Sequence, residues 1–334
     1  MRSGFNFVLF TFLAVVPLDR VSAHHSPAQY DRSELIEKDA IVVRFEFRNP
    51  HSYLLVRDSD DAEWTLETSS AVRLRREGWS KDLFAPGDQV SFQASANRDP
   101  RKNRLYLNAV TTSTGETFSL LEGGGGPPDS GPPAKATSLD GVWQVDAERL
   151  FSSPDPTENH PLTSKGQQAM SEFDETMDPV AECIPWPTPF LLVVSYIYPM
   201  RIELSDEMVV FQHEFYNTTR TVFVDGRDHP AEMARTNQGH SVGYWDEKTL
   251  VVDTRFFADH RNPMSSGVPS GAQRHVVERF TLSEDGTQLT VDVFVEDPEY
   301  LAKPMSFELP LIYAPDQELQ DFDCDPEIAS RYTE

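Results

Sequence analysis

The residues best able to do chemistry near the start of this chain are histidines: His24 and His25 side by side, and His51 in Asn49-Pro50-His51. Neutral imidazole is a good ligand for copper or zinc. An α-amine, with a reference pKa of about 8, is partly deprotonated at neutral pH. If His24 is the first residue of the processed protein, its amine and imidazole can therefore chelate one ion together, with His25 beside them. The Asn-Pro turn would then present His51 as a third ligand. The plainer reading is an exposed end and a turn histidine used for hydrogen bonding.

Two further constellations lie in the second half. Gly239-His240-Ser241-Val242-Gly243 has the form Gly-x-Ser-x-Gly, which makes Ser241 a candidate nucleophile, with His240 beside it. That motif works where a strand precedes the serine and a helix follows. Here a polar stretch precedes it and a Val-rich strand follows, so a glycine-bounded β-turn is the competing reading. The second constellation is a set of polar residues among apolar strand positions: Arg220, Arg227, His229, His240, Asp253 and Glu278. Alternation should turn some of them into a barrel interior. There they would either pair as structural ions or line a small-molecule pocket with acid/base capacity.

Export is what would expose His24. Arg2, an apolar run from Phe5 to Pro17 and the small residues Val21-Ser22-Ala23 read as a signal peptide over residues 1–23. The run is shorter than the roughly 20 residues that span a bilayer. A periplasmic or extracellular protein with no transmembrane span in its mature part is the expectation. The net charge is −25. Such a field repels phosphate backbones, so nucleic acid is excluded as a partner; a small molecule or metal ion fits better. In an oxidising compartment the only cysteines, Cys183 and Cys324, are expected to form a disulfide.

The elements that must position these groups are mostly strands. Gly123–Gly126 and the Pro127-Pro128 and Pro132-Pro133 pairs mark a linker over residues 123–138. It separates a unit at 24–122 from one at 139–334. The first unit alternates over Ala40–Phe47, resumes at Tyr53–Val56, and continues through Glu63–Thr68, Gln89–Ala94, Leu105–Thr111 and Glu116–Leu121. A short helix over Ala71–Glu77, capped by Ser69 or Ser70 and ended by Gly78, interrupts the strands. That pattern predicts a small OB-like barrel. The second unit opens on Gly141-Val142-Trp143 and has one predicted helix, Lys165–Thr176. Nine strands follow from Phe190–Tyr196 to Met305–Leu311, which predicts a larger lipocalin-like or other antiparallel β-barrel.

His24-His25-Ser26, Asn49-Pro50-His51-Ser52, Trp64, Glu67, Gly78-Trp79 and Pro86-Gly87-Asp88 together resemble a family of small secreted bacterial proteins of unknown function. The second unit is similar to uncharacterised β-rich secreted bacterial proteins. That likeness rests on Arg220, Asp225-Gly226-Arg227, His229-Pro230, Gly239–Gly243, Trp245, Thr249–Thr254, Glu278-Arg279-Phe280 and Asp297-Pro298. Those relatives carry a glycine and a Pro-Arg pair soon after Cys-x-Pro, whereas here Cys183-Ile184-Pro185 is followed by Trp186-Pro187-Thr188-Pro189. Both resemblances imply fold and location, without an activity. Binding, with copper or zinc as the candidate ion, is the expected role. The alternatives are a hydrolase or acid/base enzyme in the second unit and a structural envelope component.

Overall fold

In the computed structural model, residues 30–99, 101–120, 133–174, 177–261 and 267–330 are described. The first barrel is built from β1 (Tyr30–Glu46), β2 (Tyr53–Asp58), β3 (Glu63–Glu67), β4 (Gln89–Asn97) and β5 (Arg104–Thr112), with β6 (Thr117–Ser119) added at the edge of β5. The long β1 pairs with β4 along its first part and with β2 along its second. A parallel contact between β3 and β5 closes the ring. Helix α1 (Ala71–Arg76) sits between β3 and β4, and the Ser70 side chain caps it on Arg73 N. This is the predicted OB-like arrangement. Ala71 and Leu74 bury against Leu54, Val56, Leu66, Phe92 and Leu107. Gly78, at φ +86°, turns the chain out of the helix.

The second barrel has nine strands in chain order: β7 (Gly141–Val145), β8 (Met200–Leu204), β9 (Met208–His213), β10 (Thr218–Phe223), β11 (His240–Asp246), β12 (Thr249–Arg255), β13 (His275–Leu282), β14 (Gln288–Glu296) and β15 (Met305–Tyr313). A closed ring with an odd number of strands cannot be antiparallel throughout, because alternating directions fail to match at the last contact. The mismatch falls between β10 and β11, which are parallel. A parallel neighbour needs a long return connection, and residues 224–239 supply it. That connection carries His229.

The long excursion between β7 and β8 holds α2 (Ala147–Ser152), α3 (Ser164–Ser171) and α4 (Phe190–Val193). Thr163 caps α3 on Gly166 N, so the helix starts one residue before the predicted Lys165. The predicted strand Phe190–Tyr196 is helical instead: α4 runs into a 3-10 turn at Val194–Tyr196. Its residues are buried all round, so no alternation distinguishes strand from helix there. Ala136, assigned to the linker by composition, belongs to the large barrel: it is buried and its amide bonds Gly286 O at 2.8 Å. Residues 123–132 of the predicted linker lie outside the described residues, as does the signal segment.

The two barrels meet across a third apolar cluster, in which Val72 of α1 packs with Leu191, Val194, Tyr198, Phe215 and Phe322. Asn49 is buried there. Its Oδ1 accepts from Val72 N at 3.2 Å and its Nδ2 donates to Asp323 O at 3.4 Å. Arg76 grips Glu214 in a two-pronged ion pair, with Nη1 to Oε1 at 2.9 Å. Cys183 and Cys324 form the predicted disulfide, which ties the carboxyl-terminal tail to the turn after the Pro179–Glu182 3-10 helix.

Candidate functional site

His51 follows Asn49-Pro50 on the β1–β2 connection, and its ring lies against the end of β3. Its Nδ1 is 3.1 Å from Glu67 Oε1. The other carboxylate oxygen of Glu67 accepts from the Tyr30 phenol at 2.6 Å. Burial works to raise the Glu67 pKa, but the contacts from His51 and Tyr30 outweigh it and hold the carboxyl below its ordinary range. An ionised carboxylate only accepts, so the neutral His51 ring carries its proton on Nδ1. Nε2 is then the atom able to coordinate. Asn49, its neighbour in the motif, is an interdomain clamp. His24 and His25 lie outside the described residues.

On the large barrel, alternation sorts the predicted polar residues onto two sides of the wall, so that only some of them face the interior. Ser241, Thr254, Val276 and Glu278 point inward and are buried; His240, Asp253 and His275 occupy the outer face. Outside, five side chains form one hydrogen-bonded chain. His275 Nδ1 lies 3.3 Å from Glu296 and its Nε2 lies 2.6 Å from Asp253. Asp253 then meets His229 Nε2 at 2.9 Å, and His229 Nδ1 faces His240 Nδ1 at 2.8 Å. Arg255 Nε donates to Asp253 at 3.1 Å. Arg227 stands apart from the chain: it pairs with Asp225 and lies 4.0 Å from the centre of the Phe223 ring, against which His240 also stacks.

The electrostatics fix how the protons sit. Burial alone would raise Asp253, but the hydrogen bonds from His275 and His229 hold its carboxyl well below the usual range. Asp253 therefore only accepts, and both imidazoles present N–H to it through Nε2. Of the two facing Nδ1 atoms one donates and the other accepts; where His240 donates through Nδ1–H, its lone pair is left on Nε2. Burial, then the neighbouring His229 and Arg227, lower the His240 pKa, which favours its neutral ring. The Asp253 hydrogen bond raises His275 above its ordinary value.

A histidine raised in the folded state stabilises at pH below its unfolded value, and this contribution is lost as pH rises through its folded value. An NMR titration should thus show His275 titrating above the ordinary histidine range, and Asp253→Asn should bring it down. An unchanged His275 titration in that variant would refute the chain as drawn. His275, Glu296 and Arg255 were not foreseen. The only signal was that His275 lies one residue before the buried Val276 and so on the outward phase of β13.

Inside the wall, Arg220 and Glu278 are fully buried partners: Nη1 donates to Oε1 at 3.1 Å and Nη2 closes on Oε2. Arg220 also donates to Ser241 Oγ at 3.0 Å and Thr254 Oγ1 at 2.8 Å. Ser241 is the second residue of a strand, bonded to a guanidinium and to Thr254. Its neighbour His240 projects through the other face. Among the described residues no base reaches the hydroxyl, which argues against Ser241 as a nucleophile. The flanking glycines have structural causes. Gly239, at φ +71°, turns the chain into β11; a Cβ on Gly243 would come within 2.9 Å of Val251 O.

A family of unknown function, DUF6152, has a model that matches residues 14–106, a span that holds Tyr30, His51 and Glu67. No curated protein matches the chain. Among the described residues, no three His, Cys, Asp or Glu side chains converge as a ready-made metal cage, and no helix is long and apolar enough to cross a membrane.

Proposed function

We propose that this chain is an exported binding protein that holds one copper or zinc ion between His51 and its processed amino end. The observation that supports the reading is the shared carboxylate of Glu67. It orients His51 through Nδ1, the arrangement by which metal-binding histidines are commonly backed. It also anchors Tyr30, the first described residue. From Tyr30, six residues lead back to His24, and an extended chain of that length reaches about 20 Å. The amine and ring of His24, with His25, are thus within range of His51. An all-nitrogen donor set favours copper(II) over zinc on the usual affinity order.

Exported protein, cleaved before His24, should bind one equivalent of copper(II) in a calorimetric titration. Glu67→Gln, which keeps shape but removes the backing charge, is expected to weaken that affinity by about 10- to 100-fold. Equal affinity in the wild type and in His51→Ala would eliminate the site.

A second reading is favoured by the outer chain. His240, with Asp253 and His229 behind it, has the layout of an imidazole base backed by a relay. If it works as one, Asp253→Asn should slow the acylation of His240 by diethylpyrocarbonate, followed by peptide mass mapping. Equal labelling rates would remove the acid/base role.

A further inference from the structure

Arg274 lies one residue before β13, in phase with the inward-facing Val276 and Glu278, at the same end of the large barrel as Arg220. Both arginines are almost completely buried, at 3% exposure each. Their surroundings differ. Every nitrogen of Arg220 has a partner. Arg274 donates through Nη1 to Ser270 Oγ at 3.1 Å, while its Nε and Nη2 are buried and meet no acceptor among the described residues. The guanidinium lies 5.5 Å from the Phe190 ring centre and 5.6 Å from that of Phe257.

Asp297, the acid that acts on Arg274 electrostatically, is engaged elsewhere: it accepts from Gly271 N at 2.7 Å and Glu299 N at 3.3 Å. Burial pushes Arg274 down to about 10. A buried charge with no carboxylate hydrogen-bonded to it is among the costlier features a fold can carry. The unused donors are not scattered. Nε–H and Nη2–H lie parallel along one edge of the guanidinium, the edge that grips a carboxylate through two hydrogen bonds.

We infer that Arg274 is the recognition group of a second site, which takes a small organic carboxylate with its apolar part against Phe190 and Phe257. Ser270 and the two rings hold the guanidinium in one orientation, so the fork is set before the ligand arrives. The ligand would enter by displacing the segment that bears α4. That segment is held to the 224–239 connection by Asn237 on Pro185 O, by Gln238 Nε2 on Trp186 O at 2.9 Å, and by Thr188 N on Gln238 Oε1 at 3.1 Å. The site is independent of the metal reading, since it uses neither His51 nor the amino end.

The test is a thermal-shift and calorimetric titration of the full exported chain, disulfide intact, with sodium benzoate, sodium acetate and, at matched ionic strength, sodium chloride. Saturable stabilisation by benzoate, weaker by acetate and absent with chloride, is expected. Arg274→Met should abolish it and, needing no counter-ion, should melt no lower than the wild type without ligand. Arg274→Lys keeps the charge but lacks the fork, and should bind benzoate at least ten-fold more weakly. Three results would each overturn the inference: no benzoate shift in the wild type at tens of millimolar, the same shift with chloride, or unweakened benzoate binding by Arg274→Lys. If the methionine variant does not fold, the lysine variant decides alone.

Discussion

Glu278→Ala should destabilise the large barrel by about 3–5 kcal/mol, because it leaves the Arg220 guanidinium buried without its counter-charge. Glu278 is at 0% exposure and Arg220 at 3%, so water cannot replace the lost carboxylate. Ser241 and Thr254 would still accept from Arg220, but two hydroxyl groups do not neutralise a cation. Replacing both members, as Arg220→Met with Glu278→Leu, should recover most of the loss or exceed the wild type, because no charge then has to be desolvated. Urea unfolding followed through the fully buried Trp143 measures both. With two barrels in one chain, the transition belonging to Trp143 should be fitted separately. A single variant that costs less than about 1 kcal/mol would show that the pair is solvated, and a double variant worse than the single would show that shape outweighs charge there.

The same pair shows how far the sequence could be read. That some of the polar cluster would face inward followed from alternation; within Thr218–Phe223 and His275–Leu282 the buried positions recur at every second residue, and Arg220 and Glu278 fall on them. Alternation is a local property, and it served well wherever one face of a strand is buried and the other wet. It failed in two kinds of place. β1 begins at Tyr30, ten residues before the predicted start, because a register shift between Asp31 and Leu35 breaks the two-residue period in a charged stretch. Phe190–Tyr196 was misread because a segment buried all round shows no period.

The outer chain of His275, Asp253, His229 and His240 was only half foreseen, because it depends on which strands lie side by side. His229 reaches the wall by a connection that exists because nine strands cannot alternate round a ring. No window of sequence carries that count. Glu67 and Tyr30 were missed as supports of His51 for a similar reason: Tyr30 and Glu67 are 37 residues apart and meet only when the small barrel closes.

Removing the disulfide, as Cys183→Ala with Cys324→Ala, is expected to have the other large effect. The bond closes a loop of 141 residues. The chain-entropy model puts such a constraint at about 5 kcal/mol, as an upper figure. Much of that loop is barrel that folds on its own strand pairings, so the loss should concentrate in what the bond alone secures. That is the tail around Phe322, which packs on Tyr198, Phe215 and Tyr216. The same tail supplies Asp323 O to Asn49 Nδ2 and the Gln320 amide to Glu214 Oε2 at 2.8 Å. Freed, it would take acceptors and apolar cover from both barrels at once.

Hydrogen exchange should therefore rise first at residues 320–328, then at Val72, whose amide is held by the same Asn49 side chain, and least in β12–β14. If exchange instead rises uniformly through the large barrel, the bond acts on its global stability. If Val72 stays as protected as in the wild type, Asn49 clamps the barrels without help from the tail. His51 lies two residues beyond Asn49, so the first outcome would also make copper affinity fall in the double-alanine variant while Glu67 remains in place.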